Sequence, residues 1–271
     1  MVDIIPKIQA LFLLPPVLWA AATLVAVLIA AHEWARLASF GRAGWLLLVG
    51  GLAASGAILL AVSGAGLDRG WPSEVLLAAC GLATLFWLAV APPWVVRRWP
   101  TRSPVALTLA GWVVLSGAWV ALVELQARSP WLVLAAMAIV WIADTAAYFA
   151  GRAFGRRKLA PLVSPGKTWE GVFGGLVAVA IYAAALVPFA QAAGYDGPVA
   201  PLAIAAWIAF ALALASLSVI GDLYESWLKR VAGVKDSGTL LPGHGGVLDR
   251  IDALVAAMPP AALAAHWFLK S

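Results

Sequence analysis

The chain has 271 residues, 63% of them hydrophobic and only 11% charged, with a formal net charge of +5. A mean hydropathy of +0.94 places it in a bilayer and excludes a soluble domain. A β-barrel would show short alternating segments, and there are none. The single cysteine, Cys80, excludes an internal disulfide or a cysteine-based zinc site and reads as an inert buried thiol. The positive charge is assigned to basic loops facing anionic headgroups and anionic substrates, not to nucleic acid.

The apolar runs predict an all-α polytopic integral membrane protein. Eight spans are expected, at about 9–31, 45–64, 74–92, 104–122, 130–150, 171–190, 200–220 and 251–269. Pro15-Pro16 and Pro259-Pro260 could each break a helix, so nine segments is the neighbouring count. The first run has no basic start and no small-residue cleavage site, and reads as a span. Residues 1–130 form an N-terminal group of helices. Residues 131–271 carry the site, within one membrane unit. There is no internal repeat of the kind common in transporters. The Trp residues scatter across spans and edges, and most of them read as lipid-facing or interfacial anchors rather than stacking platforms; His32 and His266 read as interfacial.

Loop charge tests this layout. One set of loops holds Arg36, Arg42, Arg97, Arg98, Arg102, Arg152, Arg156, Arg157, Lys158, Lys167, Lys229, Arg230, Lys235 and Arg250, which is 14 of the 18 Lys and Arg. The other set, with both termini, holds Lys7, Arg69, Arg128 and Lys270. The positive-inside rule puts the first set in the cytoplasm.

Three stretches interrupt the apolar pattern. Asp144 sits near the end of the fifth span, where a carboxylate faces a polar cavity or a partner. Gly151 and Gly155 nearby have the spacing of close helix packing or a tight loop. Next comes Ser164-Pro165-Gly166-Lys167-Thr168-Trp169-Glu170-Gly171. Gly-Lys-Thr suggests a P-loop, but Pro161 stands where its first glycine belongs and no strand precedes it. Residues 165–170 are expected to start a helix, with Lys167 either binding phosphate there or serving as ordinary loop charge. Gly171, Gly174 and Gly175 are expected to bring helices close.

The third stretch, Gly221–Asp252, holds five of the 13 acids. If the helix continues past Gly221, then Asp222, Glu225, Ser226, Lys229 and Arg230 share a face. Lys235 and Asp236 follow. The turn Gly243-His244-Gly245-Gly246 leads to Asp249, Arg250 and Asp252. Carboxylates from two elements suit a hard cation such as Mg²⁺. Adjacent Lys and Arg suit phosphates. His244 could orient the turn or touch substrate.

The run Ser226-x-Leu228-Lys229-Arg230-x4-Lys235-Asp236-x-Gly238-x2-Leu241-Pro242-x-His244-Gly245-Gly246-Val247-x-Asp249-Arg250-Ile251-Asp252 resembles the signature of the phosphatidate cytidylyltransferase (CDP-diacylglycerol synthase) family. Residues 144–155 and 164–171 resemble its upstream motifs, in order. The resemblance implies transfer of cytidylyl from CTP to phosphatidate, release of pyrophosphate, a requirement for Mg²⁺ and a second metal ion, monovalent or divalent. It also implies a homodimer in the inner membrane with the site facing the cytoplasm. On this reading Asp222 and Asp249 are the main metal ligands, with Asp144, Glu225 and Asp252 beside them. Lys167, Lys229, Arg230, Lys235 and Arg250 hold phosphates. Ser226 donates to a phosphate or completes the metal site, and Asp236 orients Lys235 or meets the cytidine. A CTP-dependent lipid kinase and an ion-coupled transporter are the rival readings of the same charges.

Overall fold

A computed structural model describes residues 14–99, 103–192, 200–240, 243 and 245–268. Seven helices are long and apolar enough to cross a membrane among these residues: α1 Pro16–Leu37, α2 Arg42–Ser63, α3 Ser73–Arg97, α4 Pro104–Arg128, α5 Pro130–Phe154, α6 Trp169–Ala192 and α7 Pro201–Val231. Proline opens α1, α4, α5 and α7, where its missing N–H has no helical partner to lose. Ser129 joins α4 to α5 in a single residue, its side chain accepting from Trp131 N.

Seven such helices are fewer than the eight spans expected. The eighth stretch forms a four-residue helix, α8 (Leu248–Ile251), and then α9 (Leu254–Phe268). Pro259 and Pro260 lie inside α9 without ending it. With 15 residues, α9 is about 22 Å long. It is the most enclosed apolar helix, packed against α3, α4 and α7, so it needs no lipid-facing length of its own. It still joins the two ends of the bundle. Asp252 precedes it at the charged end, and His266 Nδ1 lies 3.0 Å from Arg128 Nη2 at the other. Pro16 is the first residue of α1; residues 9–13 of the expected first span, and with them the segment that a break at Pro15-Pro16 would separate, lie outside the described residues.

Eight of the 15 Trp residues are exposed or half-buried, in keeping with lipid-facing or interfacial places for most of them. The other seven are buried: Trp19, Trp34, Trp71, Trp87, Trp94, Trp119 and Trp227. Most of these indoles donate to a backbone carbonyl of another helix. Trp19 Nε1 reaches Leu122 O, Trp34 reaches Leu107 O, Trp87 reaches Val255 O and Trp119 reaches Ala20 O, all at 2.9–3.1 Å. A helix carbonyl keeps a second lone pair, and inside an apolar bundle an indole can use it. Trp34 also stacks on Tyr224, which ties α1 to α7.

The expected helix start at 165–170 is corrected. Lys158–Ala160 (β1) and Ser164–Thr168 (β2) form an antiparallel hairpin, and α6 begins only at Trp169. Gly-Lys-Thr therefore lies in a hairpin strand, not in a turn between a strand and a helix. The P-loop reading stays excluded, now on geometry. Pro165 does not disturb a two-stranded edge, where no ladder donor is required of it.

The glycines pack α5 against α6 as expected. A Cβ on Gly171 would lie 2.8 Å from Ala147 O, and one on Gly175 would lie 2.8 Å from Ala143 O. Neither approach is possible for a residue with a side chain.

Candidate active site

Helix α7 runs unbroken through Gly221 to Val231, so the charged residues after Gly221 are helical. Gly221 is where α7 meets the last segment. A Cβ there would strike the carbonyl of Asp252 and come within 2.9 Å of Ala256 Cβ. This close crossing sets Asp222 beside Asp252.

Four of the five residues expected on one face divide between two neighbouring groups, and Arg230 stands outside both. In the first, Lys167 Nζ lies 2.6 Å from Asp222 Oδ2, and Ser226 Oγ donates to Asp222 Oδ1 at 3.2 Å. Asp144 is close enough to feel the charges of Lys167 and Asp222, and Asp252 those of Asp222, Lys167 and Lys229. The hairpin delivers Lys167 to this group. It is tied to α6 by Trp169 N donating to Arg157 O and by Glu170 accepting from the backbone N–H groups of Arg156 and Arg157. Thr168 Oγ1 accepts from Gly171 N at 3.1 Å, capping the start of α6.

In the second group Lys229 is clamped between two carboxylates. Its Nζ pairs with Glu225 one turn back and with Asp249 Oδ1 at 2.7 Å. Glu225 is buried, and neither of its oxygens has another well-directed hydrogen bond. Asp249 is fully engaged. Its Oδ2 accepts from Ser237 N at 2.9 Å, Ser237 Oγ at 3.0 Å and Gly246 N at 2.8 Å. Burial works against its charge, but Lys229 and the two backbone N–H groups outweigh it and hold the carboxyl well below the usual aspartate range. The turn before it depends on Gly245, at φ +81°, whose missing Cβ leaves room for Asp249 Oδ2 at 2.5 Å.

The remaining expected residues stand around these two groups. Arg230 donates to Val163 O at 3.2 Å and Val234 O at 3.3 Å, so it braces the hairpin against the loop after α7. Lys235 and Asp236 are exposed on that loop, and Arg250 is exposed on α8. His244 lies outside the described residues.

One contributor went unread. Glu33, near the end of α1, is 3% exposed and accepts from Ser237 Oγ at 2.9 Å, Val247 N at 3.0 Å and Leu248 N at 2.7 Å. It thus caps α8 from more than 200 residues away. The available signal was an acid just past the expected end of the first span, where α1 in fact continues to Leu37.

The arrangement is one of paired cations and carboxylates at one end of an apolar bundle, next to a basic hairpin. It suits charge handling on phosphates. The sequence model of the cytidylyltransferase family matches residues 1–268. The chain belongs to the cytidylyltransferase family. It is 42% identical to the phosphatidate cytidylyltransferase of Pseudomonas aeruginosa over 244 residues, covering 86% of this chain and 82% of that protein. It is 41% identical to that of Brucella suis over 237 residues, covering 83% and 76%. Identity to the Haemophilus influenzae enzyme rises to 52% over 128 residues, covering 47% of this chain and 43% of that one. A family of cytidylyl-transferring enzymes accounts for the mixture of Lys, Arg and carboxylates at this end of the bundle.

Proposed function

We propose that this membrane enzyme transfers the cytidylyl group of CTP to phosphatidate, giving CDP-diacylglycerol and pyrophosphate. A phosphatidate oxygen attacks the α-phosphorus of CTP, and the bond from that phosphorus to the bridging oxygen of pyrophosphate breaks. The nucleophile is already an anion at neutral pH, so no strong base is needed. The task is to bring anions together and stabilise charge on the leaving group. The observation that carries this reading is Lys167 and Lys229, from two separate elements, each seated on carboxylates at one end of the bundle. These lysines, with Arg230, Lys235 and Arg250 around them, are placed to meet phosphates.

A divalent metal fits the first group better than the second. Mg²⁺ usually takes one or two protein carboxylates and completes its shell with water and substrate phosphates. Among the described residues no three His, Cys, Asp or Glu side chains converge on a point, which agrees with that sparse mode. Asp222 is partly accessible and has Asp144 and Asp252 nearby. Asp249 is filled by protein donors and would bind a metal only by releasing Lys229 or a backbone N–H. We therefore assign Asp222 to the metal, with Asp144 and Asp252 standing beside it rather than binding together with it, and Asp249 with Glu225 to holding Lys229. The metal would neutralise charge on the phosphates.

The charge segregation supports a cytoplasmic site in a bacterial plasma membrane, where CTP arrives from water and phosphatidate from the bilayer. The homodimer implied by the family resemblance belongs to the same reading. The deciding experiment is conversion of phosphatidate by the purified protein with CTP, with product identified. CDP-diacylglycerol and pyrophosphate are expected. CDP with a newly phosphorylated lipid would make it a kinase instead. In a Mg²⁺ titration, Asp222→Asn should raise the half-saturating metal concentration at least tenfold. If Asp249→Asn does so and Asp222→Asn does not, the metal assignment is reversed.

A further inference from the structure

The loop between α7 and α8 carries Lys235 and Asp236, and its described residues form no helix or strand. Its two ends are held by Asp249, which accepts from Ser237 N and Gly246 N, and by Glu33. The three donors that Glu33 collects come from both ends of this loop, Ser237 on one side and Val247 and Leu248 on the other. Two glycines make room for it. A Cβ on Gly238 would lie 2.6 Å from Glu33 Oε1, and one on Gly246 would lie 2.5 Å from its Cδ. Ser237 Oγ is shared, reaching Glu33 Oε2 and Asp249 Oδ2 at 2.9 and 3.0 Å. The two carboxylates thus stand on either side of one hydroxyl. One closes the loop onto α1, and the other holds Lys229.

We propose that Glu33 is a positioning residue for the nucleotide side of the site. It fixes the two ends of the loop, at Ser237 and at Val247–Leu248, and through Ser237 it fixes Asp249 behind Lys229, so that Lys229, Lys235 and Asp236 are presented together to the nucleoside triphosphate. This rests on the cytidylyltransferase reading for the ligand's identity, but not for the hold on the loop. A carboxylate is required because only it offers acceptors on both oxygens. A glutamine has one acceptor oxygen and turns an N–H₂ toward a donor. Misplacement by about 1 Å at such a distance from the chemistry can cost on the order of 100-fold in rate.

The test uses the full chain in detergent–lipid micelles, with Glu33→Gln, Glu33→Asp and Ser237→Ala. Glu33→Gln is expected to raise the KM for CTP at least tenfold while the KM for phosphatidate stays within twofold. Hydrogen exchange should speed up across residues 235–249 and stay unchanged in α5 and α6. Glu33→Asp should recover part of the CTP effect, since it keeps acceptors on both oxygens. Ser237→Ala keeps both backbone bonds to Glu33 and should show a smaller rise with the same selectivity. It is the deciding variant if Glu33→Gln does not accumulate. The proposal is overturned if the CTP KM stays within twofold, if both KM values rise together with a fall in melting temperature, or if exchange in 235–249 is unchanged. Should the wild-type protein make no CDP-diacylglycerol, the cytidylyltransferase reading fails, while hydrogen exchange still decides whether Glu33 holds the loop.

Discussion

Lys229 shows how much one side chain holds in this site. It keeps apart the charges of Glu225 and Asp249, which would otherwise face each other in a buried setting. Removing one member of such a group leaves an uncompensated buried charge and costs about 3–5 kcal/mol. Lys229→Met should therefore lower the melting temperature by many degrees and abolish turnover. Adding Glu225→Gln should restore much of the melting temperature and none of the activity, because the double variant relieves the repulsion without returning a cation to the phosphates. Thermal unfolding in detergent, run beside the enzyme assay, separates the two effects. Asp249 gives a pH prediction. Its carboxyl is held below the unfolded value of about 3.9. Its contribution to stability is thus complete above that value and is lost as pH falls toward the folded one. The difference in melting temperature between wild type and Asp249→Asn should be flat from about pH 8 to about pH 5 and should shrink below about pH 4. A gap that widens in acid would contradict the hydrogen-bond set seen at Asp249.

Among the elements, α5, the hairpin and α6 act as a unit. The glycine faces of α5 and α6 allow near backbone contact, and the hairpin between them then has one position available, with Lys167 over Asp222. Gly175→Val should drive the helices apart, since Ala143 O stands where the new side chain begins. Overpacking of this kind costs about 1–3 kcal/mol. Activity should fall further than stability, at least tenfold, because Lys167 moves with the hairpin. Assay and melting curve together check this. Equal retention of both would mean that the helices can re-space freely. The glycine spacing was legible from sequence, because small residues at repeat intervals on apolar helices have few other uses. The hairpin was not. Ser164–Thr168 contains proline and glycine and has no strand-like alternation. Its conformation comes from pairing with Lys158–Ala160 and from Glu170 tying down Arg156 and Arg157, which are tertiary contacts.

For the whole molecule, orientation is the prediction that follows from charge. The ends of successive helices alternate, so the basic loops gather at the end that carries Asp222 and Asp249. A Cys80→Ala background removes the only native thiol. In it, Arg69→Cys should react with an impermeant maleimide in intact cells, and Lys158→Cys only in inverted membrane vesicles. Both positions are exposed. The reverse pattern would place the site on the outer face and leave CTP without access.

Composition alone determined that this chain is a helical membrane protein, since 63% hydrophobic residues with 11% charge admit little else. Local spacing determined where its ionisable groups concentrate, because charge in an apolar chain is expensive wherever it has no purpose. The tertiary structure decided how those groups pair. Asp222 with Lys167, Lys229 between Glu225 and Asp249, and Glu33 at the back of the loop join residues from α1, the hairpin, α7 and α8. It also made α9 a short enclosed helix and turned half of the tryptophans inward. Those outcomes depend on which surfaces meet. Periodicity along one chain shows that a surface exists, but the partner that covers it is set by packing in three dimensions.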